Sequence, residues 1–195
     1  MEDDFIQEYP AAMDSILAAT QASGFNMASE PKTGALLKVL AASKLGGDFL
    51  EIGTGTGLST TWILQGMDSQ SKLISIDTDA TVLAIANKFL GTDKRVSFIC
   101  QDGTKWLQEN QKSRFDFIFA DALPGKFIDL DLALNILKPG GIYIIDDLSP
   151  QENWPEGHAP KVPKLITEIE SKSNLNSVRI SWASGLMVVV KCPKV

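Results

Sequence analysis

The stretch FLEIGTGTGLSTTWIL, residues 49–64, constrains the fold of this chain more than any other stretch. Apolar residues run into three glycines spaced two apart, Gly53, Gly55 and Gly57, and a pattern with helical spacing follows. Glycines in such a place let the backbone turn tightly and let a ligand lie against the main chain. Free N–H groups at the start of a helix favour an anionic or carboxylate group. The stretch therefore predicts a strand, a ligand-binding turn and a helix.

The spacing of the glycines weakens two other interpretations of this loop. A dinucleotide fingerprint has the form G-x-G-x-x-G, whereas Leu58 stands here at the third glycine position. A phosphate-binding P-loop needs Gly-Lys-Ser/Thr after its glycines, and none follows here.

Short apolar runs alternate with segments of helical spacing along the rest of the chain. The runs cover residues 48–53, 72–77, 95–100, 115–121 and 140–146. The helical segments lie near residues 57–67, 79–90, 103–111, 126–137 and 161–172. Runs that are apolar almost throughout are typical of strands buried on both faces of a parallel sheet.

The end of the chain adds a different feature. The strand-like runs 177–182 and 185–191 are too close together for a crossover helix, so they must be antiparallel. The whole pattern predicts an α/β fold with a doubly wound, mostly parallel, seven-stranded Rossmann-like sheet and an antiparallel C-terminal hairpin strand.

Two helical segments, near residues 3–23 and 31–45, precede the first strand. No linker, repeat or low-complexity tract divides the 195 residues, so we expect one domain. In that domain residues 1–45 form helices over the cleft, and residues 46–195 form the core sheet. The N-terminal helix could pair two chains into a homodimer, or its apolar positions could pack on its own sheet.

The charge and hydropathy of the chain argue against several classes of partner. The net charge is −6, and Lys and Arg are scattered, which disfavours a nucleic-acid substrate. No apolar run is long enough to cross a bilayer. The acidic start MEDDFIQEYP lacks the basic and apolar parts of a signal peptide. We therefore expect a cytoplasmic protein without nucleic-acid or membrane partners.

Three acids lie in or after the first three apolar runs. Glu51, inside the first run, needs partners for a buried carboxylate, which a ligand ammonium or a neighbouring loop could supply. Asp77 ends the second run and can accept both hydroxyls of a ribose. Asp102, after the third run, could accept a hydrogen bond from an adenine amino group or cap the following helix.

Taken in order, EIGTGTG, ISID, CQDG, FDFIFAD and LKPGGIYIIDD resemble the motifs of class I S-adenosylmethionine (SAM)-dependent methyltransferases, over about residues 26–192. The leading helices and NMASEPKTGALLKVLA resemble the small O-methyltransferases of the catechol and caffeoyl-CoA type. The resemblance implies methyl transfer from SAM to an oxygen of a small molecule. It also implies the residues that hold SAM: Met27, Glu51, Gly53, Thr54, Gly55, Gly57, Ser59, Asp77, Thr78, Asp102, Gly103 and Asp121.

The same resemblance implies a metal site and a catalytic lysine. The related enzymes hold a divalent ion on positions that match Asp121, Asp146 and Asp147, and three oxygen ligands would suit Mg²⁺ or a similar cation. Alternatively, these acids line the cleft and cap a loop. The lysine of the metal-dependent enzymes follows their first Asp by two or three residues, whereas Lys126 follows Asp121 by five.

His158 is the one histidine of the chain and lies in the stiff, aromatic segment NWPEGH. A lone histidine in a surface loop is often solvated, but a loop of this kind beside a cleft can form a lid or a substrate wall. The predicted catalytic residues are therefore Asp121, Lys126 and His158.

Three other functions remain open at this point. They are a SAM-binding protein without methyltransferase activity, an NAD-linked oxidoreductase, and an aminopropyl transferase on a similar fold. The departure after Asp121 keeps the first alternative open, whereas Leu58 and the terminal hairpin disfavour the second.

Overall fold

The computed structural model describes residue 6 and residues 8–193. The strands are β1 (Asp48–Ile52), β2 (Lys72–Asp77), β3 (Val96–Cys100), β4 (Phe115–Ala120), β5 (Leu137–Ile145), β6 (Leu175–Ile180) and β7 (Leu186–Lys191). The helices are α1 (Met13–Ser23), α2 (Pro31–Ala42), α3 (Leu58–Gly66), α4 (Ala80–Leu90), α5 (Gly103–Glu109), α6 (Leu130–Ile136) and α7 (Lys161–Ser171).

These strands form one sheet in the order β3-β2-β1-β4-β5-β7-β6. The neighbours from β3 to β5 run parallel, and β7 runs antiparallel to both β5 and β6. The predicted fold class is confirmed, including the antiparallel hairpin.

Two apolar layers cover the two faces of the sheet. Phe49 and Leu50 are successive residues of β1, and both are fully buried, but they belong to opposite layers. Strand side chains alternate between faces, so a strand covered on both sides must be apolar at successive positions. This explains why the sequence shows continuous apolar runs instead of alternation.

Two predicted helices begin later than expected. The helix expected near 3–23 begins at Met13, because Pro10 disfavours a helical conformation in the residue before it. Residues 3–5 and 7 of that prediction lie outside the described residues. The helix expected near 126–137 begins at Leu130, because a turn that contains Pro124 and Gly125 precedes it.

The carboxyl ends of β1, β2, β4 and β5 meet at one edge of the sheet. Strands β1 and β4 are neighbours there, although β2 and β3 lie between them in sequence. Ligands of open α/β sheets bind at such a switch in strand order. Among the residues that the structure describes, no helix has the length and apolar character to span a membrane.

Candidate active site

A cavity of about 470 Å³ lies at this switch point. Its wall includes residues of the glycine loop, of the segments that follow β2 and β4, and of the segment before α2: Met27, Gly53, Thr54, Gly55, Ser59, Asp77, Thr78, Asp121, Lys126, Asp147 and His158. A second cavity of about 230 Å³ adjoins it and shares Met27, Asp121 and Asp147 with it. Asp146 lines only the second of these two cavities.

The three glycines of the loop have different roles. All of them have a positive backbone φ, which residues other than glycine rarely adopt. A Cβ on Gly53 would lie 2.6 Å from the carbonyl oxygen of Asp121, and a Cβ on Gly57 would lie 2.9 Å from the Cβ of Ala86. Gly53 therefore lets the ends of β1 and β4 approach each other. Gly57 lets α3 pack against α4 and does not line the cavity, contrary to the prediction.

Asp77 presents a fixed carboxylate to the cavity. Its Oδ2 accepts from the N–H of Gly55 at 2.7 Å, and its Oδ1 accepts from the N–H of Asp79 at 2.9 Å. An ionised carboxylate has about four acceptor sites, so both oxygens can still accept a ligand hydroxyl. Asp77 therefore keeps the acceptor capacity that the predicted ribose contact requires.

Glu51 lies behind the wall of the cavity, and the structure corrects the prediction that it lines the pocket. Its fully buried carboxylate accepts from the hydroxyls of Ser59 at 2.6 Å, and of Thr60 and Ser75 at 2.5 Å each. Burial raises the pKa of Glu51 to about 7, against the lowering effect of these hydroxyl donors. Glu51 therefore stabilises the glycine loop from behind the cavity wall. This agrees with the second alternative from the sequence, in which neighbouring residues supply the partners of the carboxylate.

Asp102 and Gly103 also lie outside the cavity wall, contrary to their predicted place in the pocket. The exposed Asp102 caps α5, because its Oδ1 accepts from the N–H of Lys105 at 2.9 Å. A Cβ on Gly103 would lie 2.9 Å from the Cβ of Pro124, so this glycine allows close packing. The capping alternative for Asp102 is the one that the structure shows.

Asp121 stands in the wall that the two cavities share. The hydroxyl of Ser29, from the segment before α2, donates to its Oδ2 at 3.1 Å. Burial, followed by the charge of Asp146, raises the pKa of Asp121 well above its ordinary value. Met27, from the same segment, is 58% exposed at the rim.

Asp146 and Asp147 follow β5. The buried Asp146 uses Oδ1 to accept from the hydroxyl of Ser184 and from the N–H of Asp147. Burial raises the pKa of Asp146 to about 6, although the Ser184 hydroxyl acts in the opposite direction. Asp147 has a φ of 61°, which re-aims the chain after the strand.

These acids do not form the predicted metal site. Across residue 6 and residues 8–193, no three His, Cys, Asp or Glu side chains come together in a way that could hold a metal ion. Asp146 faces the hairpin residue Ser184, while Ser29 donates to Asp121. The arrangement of the described donors therefore does not fit a divalent cation.

Lys126 reaches the cavity despite its different spacing. Its side chain is 3% exposed, and its Nζ donates to the carbonyl oxygen of Asp146 at 3.1 Å. The turn that precedes it contains Gly125 with a φ of 77°, and the hydroxyl of Tyr143 donates to the carbonyl oxygen of Gly125. The structure thus brings Lys126 and Asp121 to one wall.

His158 is 5% exposed and lines the first cavity, so the solvated alternative is wrong. Its ring stacks on Trp154 at 4.2 Å between centroids and meets Phe127 edge-on at 4.9 Å. Nε2 lies 3.3 Å from the carbonyl oxygen of Asp147, which can only accept, so Nε2 carries the hydrogen. Burial lowers the pKa of His158.

Two contributions to the site were missed from the sequence. Phe25 lines the cavity next to Gly55, and the helix stop at Gly24 directly before an aromatic residue could have indicated it. Ser184 reaches Asp146 from the β6–β7 hairpin. No sequence pattern relates Ser184 to Asp146.

The fold and the cavity together define a class I methyltransferase architecture, and comparison with known proteins agrees. Residues 50–148 match the family described as "Methyltransferase domain". The match covers half of the chain, so this chain belongs to that family, which confirms the resemblance seen in the motifs and the predicted methyltransferase class.

Individual relatives carry related names. A protein of Mycobacterium avium (strain 104) named as an O-methyltransferase is 29% identical over 140 residues, which are 68% of this chain and 63% of that protein. A protein of Arabidopsis thaliana named as a caffeoyl-CoA O-methyltransferase is 30% identical over 57% of this chain and 49% of its own length. The matched part of the chain thus spans less than two thirds of these relatives.

A solved structure shows the same fold. The O-methyltransferase from Bacillus cereus, in complex with S-adenosylhomocysteine (SAH), has a TM-score of 0.84 to this chain at 20% identity. The superposition covers 97% of this chain and 94% of the Bacillus cereus chain.

Proposed function

We propose that this chain transfers the methyl group of SAM to an oxygen atom of a small-molecule acceptor. The observation that carries the proposal is the Asp77 carboxylate, which the N–H groups of Gly55 and Asp79 hold at the wall of the 470 Å³ cavity. An acid at the end of the second strand is suited to the two hydroxyls of a ribose. The family match and the names of the relatives support methyl transfer to oxygen.

The first cavity fits SAM in its chemistry. Gly53 and Gly55 leave the main chain bare at the wall, and Asp77 and Thr78 follow at the end of β2. Residues 27–29, with Asp121, would enclose the far end of the ligand. SAM supplies an electrophilic methyl group on a sulfonium, and Asp121 stands where this cavity adjoins the second.

The second cavity would hold the acceptor, because it shares Asp121 and Asp147 with the first. Transfer requires the acceptor oxygen to be aligned and close to the methyl group, which walls on both sides can enforce. His158 would take the proton of the acceptor hydroxyl, because its Nε2–H donates to Asp147 and leaves the lone pair on Nδ1.

A calorimetric titration with SAH tests the cofactor site. Wild type should bind one SAH, and Asp77→Asn should weaken binding at least about tenfold, since a hydrogen bond to a charged group contributes about 1.5–3 kcal/mol. Asp131→Asn is the matched control, because Asp131 is exposed and pairs with Lys172 away from this cavity. Unchanged affinity in Asp77→Asn, or no binding to folded wild type, would contradict the proposal.

Turnover on a panel of small hydroxyl compounds separates the remaining alternatives. Formation of SAH with any acceptor would establish the transferase, and loss of that turnover in His158→Gln with SAH affinity retained would support the proton acceptor. SAH binding without turnover would favour the non-catalytic alternative. Binding of NADH instead of SAH would favour the oxidoreductase.

The sequence-based expectations of one domain, a cytoplasmic location and no nucleic-acid partner belong to this proposal. The net charge of −6 supports the last of these. Pairing of two chains is supported by exposed apolar side chains on the N-terminal helices, Leu17 on α1 and Val39 on α2. Light scattering of the purified chain would decide between a monomer and a dimer.

A further inference from the structure

Lys126 lies in the wall of the first cavity, beside the acids that this cavity shares with the second. Its buried side chain lies where Asp121 and Asp147 line the first cavity, and its Nζ donates to the main chain of Asp146. Among the described residues that line these two cavities, Lys126 is the sole lysine or arginine. The negative charges of Asp146 and Asp147 act on Asp121, and such like charges repel one another unless a cation balances them.

The main chain keeps Lys126 in this place. The N–H of Gly125 donates to the carbonyl oxygen of Ile128 at 2.7 Å, and its own carbonyl accepts from the buried Tyr143 hydroxyl. A Cβ on Gly125 would lie 2.9 Å from both Ile52 Cδ1 and Tyr143 Oη, so a larger residue does not fit. The residues between Asp121 and Lys126 thus form a fixed turn that directs the lysine back to the strand ends.

Asp121 and Asp146 each accept from protein donors on one carboxylate oxygen. Ser184 and the N–H of Asp147 use Oδ1 of Asp146, and Ser29 uses Oδ2 of Asp121. Mg²⁺ demands near-ideal octahedral oxygen geometry. In the part of the chain that the structure describes, no three acidic, histidine or cysteine side chains converge as a metal site requires.

We propose that the Lys126 ammonium supplies the positive charge that the related enzymes take from a divalent cation, so that this site works without one. Lys126 acts here as a positioning residue that holds Asp121 and Asp147 in one wall. The statement that the enzyme works without a metal rests on the proposed function. The statement that the Lys126 charge balances the nearby carboxylates does not.

The test measures binding of Mn²⁺ to the full chain after exhaustive chelation, from the electron paramagnetic resonance signal of free Mn²⁺. Each series is run with and without saturating SAH. Wild type should show no saturable binding up to about 1 mM Mn²⁺. Lys126→Met should raise the Mn²⁺ affinity at least about tenfold, because its carboxylates then lack a counter-charge, and adding Asp121→Asn should remove the gain.

Lys161→Met is the matched control. The ammonium groups of Lys126 and Lys161 lie 5.2 Å and 5.8 Å from the centroid of the Phe127 ring, but Lys161 lies outside the two cavities. This variant should bind Mn²⁺ no better than wild type. A one-to-one Mn²⁺ site in wild type that Asp146→Asn removes would overturn the proposal. A Lys126→Met protein that binds SAH but gains no Mn²⁺ affinity would overturn it as well.

If Lys126→Met does not fold, the comparison of wild type with Asp146→Asn decides alone. No saturable Mn²⁺ binding in wild type supports the charge balance. A Mn²⁺ site that is present in wild type and lost in Asp146→Asn refutes it. If SAH does not bind to folded wild type, the proposed function fails. The Mn²⁺ result then still tests the charge balance, so the two failures are distinguishable.

Discussion

The site has two halves: the proposed cofactor half around the glycine loop and Asp77, and the proposed acceptor half around Asp121 and Asp146. They differ in how far apart in sequence the hydrogen-bonded residues lie. Under the glycine loop, the donors to the two carboxylates lie no more than 24 residues away: Glu51 accepts from Ser59, Thr60 and Ser75, and Asp77 accepts from Gly55 and Asp79. On the acceptor side, Ser29 and Asp121 are separated by 92 residues, and Ser184 and Asp146 by 38.

This difference concerns more than distance along the chain. The polar contacts of Glu51 and Asp77 in the cofactor half fall within residues 51–79, so its shape depends mainly on one stretch of the chain. The acceptor half needs the segment before α2, the turn after β4, the end of β5 and the β6–β7 hairpin at once. We therefore expect changes in the acceptor half to alter that half while the affinity for SAH remains.

The largest loss of stability should come from replacing Gly53, which lies where the two halves of the site meet. In Gly53→Ala the new Cβ would lie 2.6 Å from the Asp121 carbonyl, on a backbone with a φ of 103°. We expect a loss of more than about 3 kcal/mol in the free energy of unfolding, with loss of SAH binding, because clash and left-handed strain combine. Urea unfolding and calorimetry measure the two quantities.

Gly140→Ala is the control for Gly53→Ala. Gly140 has a φ of 76°, but nothing lies within 4 Å of its added Cβ, so strain alone should cost about 1 kcal/mol. Equal losses in the two variants would show that the close approach of β1 and β4 contributes nothing.

The next largest effect is a pH-dependent change in the free energy of unfolding, and it arises in the cofactor half. A pKa of Glu51 raised from 4.5 to about 7 means that the folded chain holds this proton more tightly than the unfolded chain. This contribution to stability is complete below about pH 4.5, declines as the pH rises, and is lost above the folded pKa. Between pH 5 and pH 8, wild type should lose about 2–3 kcal/mol relative to Glu51→Gln.

Urea unfolding of both proteins at several pH values measures this difference. Glu109→Gln is the matched control, because it makes the same change of side chain at an exposed position on α5. Parallel curves for wild type and Glu51→Gln would show that Glu51 keeps an ordinary pKa.

A smaller effect should be confined to the acceptor half. Tyr143→Phe leaves the buried carbonyl of Gly125 without the hydroxyl that donates to it, which should cost about 1–2 kcal/mol. Because Gly125 belongs to the turn before Lys126, any turnover should fall, while the affinity for SAH stays within about twofold of wild type.

Tyr9→Phe, at the other tyrosine of the chain, is the control, since Tyr9 is 51% exposed. A large loss of SAH affinity in Tyr143→Phe would contradict the expectation that changes in the acceptor half leave the cofactor half intact.

The smallest effect is expected at the rim. Asn153 donates to the carbonyl oxygen of Asn26 at 2.8 Å, which ties the loop of His158 to the segment before α2. Because this hydrogen bond is exposed, Asn153→Ala should cost less than about 0.5 kcal/mol in unfolding. Hydrogen exchange of residues 150–158 should nevertheless become faster than in Asn176→Ala, a variant on the exposed part of edge strand β6. Equal exchange would mean that the tie does not hold the loop.

The sequence by itself determined the sheet and much of the cofactor half. Continuous apolar runs indicate strands buried on two faces, and the short link between the last two runs requires an antiparallel pair. The glycine spacing and the acid at the end of β2 placed Gly53, Gly55 and Asp77 correctly at the wall. These signals are local, because each one depends on residues that are close along the chain.

Only the tertiary structure decided which polar residues face the cavity. Glu51 and Asp102 have the same acidic character as Asp77, but one is buried under the loop and the other caps a helix. The places of Lys126, Asp146 and Ser184 follow from a turn, a strand end and a hairpin that meet only after folding. A carboxylate is a ligand, a brace or a cap according to the donors around it, and distant segments bring many of those donors.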